Sequence, residues 1–441
     1  MDESIIEANA VLEDGLCRVR IRISGDSIES LEKLQDSTTG AVIVFPGFID
    51  VHVHAREYAL PSDASENQKA AWEKMTAKES FRTAGRAAIN GGVVLYAAMP
   101  NDPIPPDNQQ TYNLKKSVAT TSKCPVILLA CITRDSQPWE NIPYKLYLDH
   151  KSSASSFSYW KDVDTTLARY RGRHVFFHAE DPIILEKYSN LPDRWKSRPP
   201  EAERSAVSKI LDLTSKHSLK THICHISTIQ AVKLIQDFNS TSSTKVTCEV
   251  TPHHLFFSVD DSGVKADGAV VYGNRSFFDC NPPLRSEHDR TSLIEALRDG
   301  VIDMVAGDHA PHTIDDKVNG APGMPQLDTY GAFAAWLVNK RQFSLEQIAQ
   351  VFSKAPALLL SEYTEGSYGS LREGATASMT FLDLAGKTLV NKQVIADRGP
   401  LGTRCAWSPF DGIELPGAVC KVIVNGRLAH ASNNFKSPSA Q

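Results

Sequence analysis

Gly47-Phe48-Ile49-Asp50-Val51-His52-Val53-His54-Ala55-Arg56-Glu57 is an apolar run that ends in two histidines one residue apart. In an extended strand alternate side chains share a face, so His52 and His54 point the same way. Two neutral imidazoles side by side make half of a site for a zinc-like ion. The bland alternative is a hydrogen-bonded pair of core histidines, and the dipeptide spacing alone leaves both readings open.

Outward from this stretch one pattern repeats. Short β-rich runs occur at Val42–His54, Gly92–Pro100, Pro125–Ile132, Tyr144–Leu148, His174–Glu180, Lys220–Ser227, Lys245–Pro252 and Ile302–Pro311. Helical candidates lie between them, at Ala77–Asn90, Asp107–Ala119, Ala202–His217, Ile229–Phe238 and Asp289–Arg298. Eight buried strands alternating with helices predict an α/β chain folded as a parallel (β/α)₈ (TIM) barrel. The ends differ: Ala8–Leu12, Cys17–Ile23, Ala377–Leu384 and Val419–Val424 are strand-like, with turns expected at Ala385-Gly386 and Asn425-Gly426. The expected layout is residues 1–45 and 366–430 as two parts of a small β-sandwich-like domain, a barrel over 46–365, and a disordered tail over 431–441. Two segments break the barrel rhythm, Tyr58–Lys74 and Val259–Phe278. Both should emerge where strands end, the face on which barrels carry their active sites.

At 41% hydrophobic and 22% charged residues the chain has ample material for a core. A net charge of −5 gives no footprint for nucleic acid or an anionic membrane. The start of the chain lacks a basic-then-apolar leader, and no apolar run reaches membrane-spanning length. The eight cysteines are scattered with no CxxC pair, as in a reducing compartment, so a cytoplasmic protein is expected.

The other strand ends strengthen the metal reading of His52 and His54. Lys145 sits in the otherwise apolar Tyr144-Lys145-Leu146-Tyr147-Leu148, where an unpaired ammonium is costly. Run five ends in His178-Ala179-Glu180, run six carries His222-Ile223-Cys224-His225, and run eight ends in Gly307-Asp308-His309-Ala310-Pro311. Each alone reads as a solvated strand-end residue. Their coincidence at corresponding positions of one barrel supplies nitrogen and oxygen donors suited to divalent ions such as zinc.

With these motifs, and with Met99-Pro100-Asn101, Cys248-Glu249-Val250-Thr251-Pro252-His253-His254-Leu255, Asn281-Pro282-Pro283-Leu284-Arg285 and His312-Thr313, the chain resembles the amidohydrolase superfamily. Within it the chain is similar to the cyclic amidohydrolases, most of all the dihydroorotases, over nearly the whole barrel. The resemblance implies two zinc ions, one held by His52, His54 and Asp308 and the other by His178 and His225, bridged by a CO₂-derived carbamate on Lys145. Asp308 would also be catalytic, moving the proton. Arg56, Asn101, Asn281 and His312 would bind substrate. Cys224 and Glu249 lie near strand ends and could support a third ion, although strand alternation turns Cys224 away from His225 and favours a core cysteine. His253 and His254 read as structural or orienting residues, and Arg285 equally as a loop ion pair. The implied reaction is reversible opening of dihydroorotate to N-carbamoyl-aspartate in pyrimidine synthesis. The implied partners are a small-molecule substrate and a second copy of the chain in a homodimer, with other pyrimidine-pathway enzymes open and neither nucleic acid nor membrane. Allantoinase, hydantoinase and dihydropyrimidinase share the metal motifs, and a catalytically silent scaffold is the rival from another class; the latter would be expected to have lost ligands, and none is lost. The 58–74 segment departs from the family pattern.

Overall fold

The protein is described by a computed structural model covering residues 4–35, 40–149, 157–271, 274–391, 394–395 and 399–432. The tail beyond Ser432 lies outside the described residues.

All eight expected barrel runs contain parallel strand. They are Phe48–Val53, Val93–Ala98, Val126–Leu128 continued by Ala130–Cys131, Tyr144–Leu148, His174–Ala179, Lys220–Ile223, Val246–Val250 and Met304–Val305. Phe48–Val53 and Val93–Ala98 are buried at every residue, as expected for strands covered on both faces. The third run is split at Leu129, whose N–H still reaches the carbonyl of Ala98 at 3.1 Å. The barrel closes between its first and eighth strands: Val53 bridges His309, and His54 N donates to His309 O at 2.8 Å. Asp50 secures this seam by accepting from the backbone N–H of Gly307 (2.8 Å) and of His52 (3.0 Å) on one carboxylate oxygen.

The helices wrap this core where the sequence placed them, at Phe81–Asn90, Gln109–Ala119, Pro200–His217, Ile229–Thr241 and Glu287–Arg298. Several begin with a side-chain cap, such as Ser80 and Asn108 in capping boxes and Thr228 over Ala231. The expected Ala77–Asn90 helix is in fact two, broken at Glu79-Ser80, because Ser80 caps the second. The first of the two, Glu66–Lys78, occupies the inserted segment, and the excursion after the seventh strand forms a three-stranded antiparallel sheet over residues 257–270.

The chain ends combine into one mixed nine-stranded sheet with its own buried core, including Val19, Ile21, Ile23, Met379 and Phe381. Ser4–Leu12 pairs with Val42–Pro46 in parallel, and Met379–Asn391 pairs with both Val42–Pro46 and Glu414–Val424. No turn forms at Ala385-Gly386. The strand runs through to Asn391 with a bulge, its register shifting between Asp383 and Lys387. Asn425-Gly426 is the expected two-residue turn, with both residues at positive φ (48° and 75°) as a hairpin of this hand needs. The sheet seats on the barrel at Gly92, where Thr380 Oγ1 donates to the Gly92 carbonyl and accepts from Phe48 N. Gly92 lies at φ 85°, and a Cβ there would meet Thr380 Cγ2 at 2.6 Å, so both conformation and contact require glycine.

Candidate active site

At the strand ends the sequence-expected ligands meet. His52 Nδ1 lies 2.5 Å from Glu249 Oε1, and His54 Nδ1 lies 2.6 Å from Asn101 Oδ1. Both partners accept, so each Nδ1 carries the proton and each Nε2 a lone pair. These two Nε2 atoms stand 3.4 Å and 3.1 Å from the same oxygen, Asp308 Oδ1. Burial holds both imidazoles below their ordinary pKa, and burial raises that of Asp308, with His52 and Lys145 opposing. One proton on Asp308 would satisfy only one of two converging lone pairs. The residues therefore fit a cation at this point, which all three could ligate.

The second pair is built in the same way. His178 Nε2 donates to Glu180 Oε2 (3.0 Å), leaving the Nδ1 lone pair facing His225 Nε2 at 3.0 Å. Glu180 is buried, and Arg198 and His178 hold its carboxyl below the usual range against that burial. Arg198 in turn bridges Glu180 to Asp149 (3.2 Å). This chain of charges orients the His178 ring, as outer partners of ligating histidines do. Sequence reasoning quoted Glu180 but missed its role, although a residue two after a strand-end histidine shares its face. Arg198 and Asp149 carried no local signal.

Lys145 is fully buried, donates to Cys224 Sγ at 2.8 Å and has no carboxylate partner among the described residues. Cys224 thus faces the centre, correcting the expectation that it points into the core. The cause is His225, whose φ of 37° ends the strand's alternation and lets both neighbours turn inward. His52, Cys224 and Glu249 offer ligand atoms within 4.8 Å of one another. Glu249 also accepts from His222 Nε2 (2.9 Å) and from the backbone N–H of His225 (3.2 Å). Hydrogen bonds thus tie it to three strand-end histidines.

The expected substrate residues separate. Arg56 and His312 are together, with Nη2 and Nε2 3.3 Å apart. Asn101 sits beside them through His54. Asn281 does not join this group: its Oδ1 accepts from Arg194 Nη1 at 2.7 Å. His254 is held by Thr251 Oγ1 (2.8 Å) and the Pro282 carbonyl (3.2 Å), while His253 contacts Gln326. Arg285 binds Ser227 Oγ (3.0 Å) and the Arg198 carbonyl (2.6 Å), so it joins loops rather than facing the centre. A missed contact is His309 Nε2 to Glu79 Oε2, at 3.1 Å, which ties the eighth strand end to the start of the second helix. A cavity of about 900 Å³, lined by Trp336 and Trp407 among others, shares no lining residue with the histidine centre.

Three of the non-glycine residues at positive φ are Arg56 (60°), His225 (37°) and Asp308 (42°). Each such conformation costs of order 1 kcal/mol or more, and such outliers cluster at functional sites.

Comparison with known proteins points to the amidohydrolases. The sequence model of the amidohydrolase family matches residues 43–134. The solved L-hydantoinase (dihydropyrimidinase) of Arthrobacter aurescens superposes with a TM-score of 0.81 at 22% identity, covering 98% of this chain and 96% of its own. The D-hydantoinase (dihydropyrimidinase) of Thermus sp. gives 0.76 at 19% identity, with 98% and 96% covered. At such identities these likenesses speak for the fold. In sequence the chain is similar to the dihydroorotase of Pyrococcus furiosus, 28% identical over 430 residues, spanning 97% of this chain and 90% of the relative. It is 29% identical to that of Bacillus subtilis over 439 residues, spanning 93% and 94%. The matches bear out the resemblance read from the motifs: the chain is an enzyme, a hydrolase similar to the amidohydrolases. The curated relatives named above carry the narrower name dihydroorotase. No helix among the described residues is long and apolar enough to cross a membrane.

Proposed function

We propose that the protein is a dihydroorotase, a metal-dependent hydrolase that opens the cyclic amide of dihydroorotate to N-carbamoyl-aspartate and closes it in reverse. The observation that carries the substrate is Arg56. It is buried, forms no ion pair among the described residues, and leaves its Nε without any hydrogen-bond partner. A buried guanidinium without a counter-charge is expensive unless an anion arrives with the ligand. Dihydroorotate carries a ring carboxylate; dihydrouracil and hydantoin do not. The names of the curated relatives agree with this choice, and the structural neighbours supply the alternative of a neutral ring.

His52, His54 and Asp308 would hold one zinc ion, His178 and His225 the other. Lys145 would bridge them as a carbamate, which removes the cost of its unpaired ammonium. Cys224 and Glu249 form a candidate third position. When bound, such ions supply Lewis acidity, making water nucleophilic near neutral pH and polarising the amide carbonyl. The chain's own groups do the rest. Arg56 and His312 take the carboxylate and orient the ring, while Asn101 and Glu249 fix the tautomers of His54 and His52. Asp308, whose burial raises the proton affinity of its carboxylate, would take the proton of the attacking water and return it to the departing amide nitrogen. The test is turnover of dihydroorotate, dihydrouracil, hydantoin and allantoin by one metal-replete preparation. Dihydroorotate should lead by roughly 10³-fold in kcat/KM. Preference for any neutral ring overturns the assignment.

A further inference from the structure

Helix Glu66–Lys78 is mostly exposed, yet Thr76 and its final residue, Lys78, are buried. Lys78 Nζ reaches 3.3 Å from His312 Nδ1 and 3.3 Å from Asp316 Oδ2. On the opposite edge of the same ring, Nε2 stands 3.3 Å from Arg56 Nη2. His312 is therefore held between two cations. Burial together with Arg56 and Lys78 keeps the imidazole well below its usual pKa, so it is neutral and has one N–H and one lone pair.

Each tautomer satisfies one of the two cations, and they differ in what they offer a ligand. With the proton on Nδ1, Nε2 accepts from Arg56 Nη2, but Nδ1–H points at the ammonium, with Asp316 Oδ2 farther off at 3.8 Å. A proton on Nε2 lets Nδ1 accept from Lys78. It then places Nε2–H beside Arg56 Nη2, two donors with no acceptor between them. Side-by-side donors without an acceptor are the arrangement that one carboxylate oxygen completes.

We propose that Lys78 is a positioning residue of the carboxylate pocket: by donating to His312 Nδ1 it fixes the proton on Nε2, so that His312 and Arg56 present neighbouring N–H groups to one substrate carboxylate. The identity of that carboxylate rests on the dihydroorotase reading; the tautomer does not. Lys78 lies just past the inserted segment 58–74, at the end of the helix that begins inside it. Trp407 Nε1 donates to the His312 carbonyl at 2.7 Å and holds the backbone in place while the ring is set from either side.

The test has a part that needs no substrate. In metal-replete protein labelled with ¹⁵N-histidine, the His312 signals, assigned by their loss in His312→Gln, should show Nε2 protonated and Nδ1 bare. A proton on Nδ1 overturns the proposal whatever the kinetics. In Lys78→Met the tautomers should mix, and KM for dihydroorotate should rise roughly 10-fold or more, the loss expected for a hydrogen bond to a charged group. kcat should change less, and metal content should be retained. Lys78→Arg, which keeps a donor, should recover part of the KM. On a His312→Gln background Lys78→Met should add little, because its effect passes through the ring; full multiplication of the two penalties overturns the proposal. A wild type that ignores dihydroorotate but shows the expected tautomer would refute the substrate while leaving the role of Lys78 standing.

Discussion

Replacing Arg56 by glycine should move stability and selectivity in opposite directions. Arg56 sits at φ 60°, where a side chain costs about 1 kcal/mol and glycine costs almost nothing. Its guanidinium is also buried without a counter-charge. The ligand-free variant should therefore be more stable than the wild type, and for a chain this long about 1 kcal/mol raises the melting temperature by roughly 1–2 °C. Catalysis should suffer. Losing one partner of a buried ion pair costs about 3–5 kcal/mol, so kcat/KM for dihydroorotate should fall by roughly 10²- to 10⁴-fold. The same change should leave the much smaller rate on dihydrouracil nearly untouched, collapsing the ratio between the two substrates. Calorimetry on metal-replete, ligand-free protein gives the first number, and parallel steady-state assays give the second. A variant that melts several degrees lower, or one that keeps the wild-type substrate ratio, refutes the view that Arg56 is strained and unpaired for the sake of a substrate carboxylate.

Lys145→Ala should lose bound metal and turnover together, with short carboxylic acids restoring part of both; elemental analysis showing native metal content with native turnover would remove the carbamate bridge. Asp308→Asn keeps the shape of the side chain but not its proton affinity, and kcat should drop by at least roughly 10²-fold. A wild-type pH–rate profile in that variant would assign the proton to another group. Glu203 is buried beneath the loop after the sixth strand, accepting from Ser227 N (2.8 Å) and Ser227 Oγ (2.9 Å) and from Thr228. Burial pushes its pKa from 4.5 up to about 7, with Arg285 opposing. A raised carboxyl pKa contributes stability below its unfolded value and loses it as pH rises through the folded one, so this contribution should fade between pH 4.5 and about 7. Denaturant melts of Glu203→Gln should show a flatter pH dependence over that window; an unchanged slope would mean that Glu203 is ionised throughout.

The barrel was legible because its strands are short apolar runs, most of them carrying near their ends a residue that an apolar run does not need. His52, His54, His178, His225 and Asp308 announced themselves in this way, and the structure brings them together. Cys224 was misjudged because strict alternation was assumed, and a left-handed φ at His225 is invisible in composition. The turn expected at Ala385-Gly386 failed for a related reason, since a bulge can absorb what looks like a breaker. Lys78 could not be foreseen: the buried end of its helix, at Thr76 and Lys78, is polar, so the few apolar residues before it do not announce its burial. Asn101 was read as a substrate residue, but its oxygen is engaged by His54, a pairing between strands that no local pattern encodes.

His54 and Asp308 are 254 residues apart in the chain, yet they face each other across the line where the barrel closes. A growing polypeptide holds His52, His54, Lys145, His178 and His225 long before it contains Asp308. The final ligand of the centre is thus made with the final strand, and its oxygen can reach the two early histidines only when the ring of strands has shut. Capture of an ion by all three residues therefore reports that every intervening strand has taken its place. Release of that ion would leave the first and eighth strands joined there by their hydrogen bonds alone.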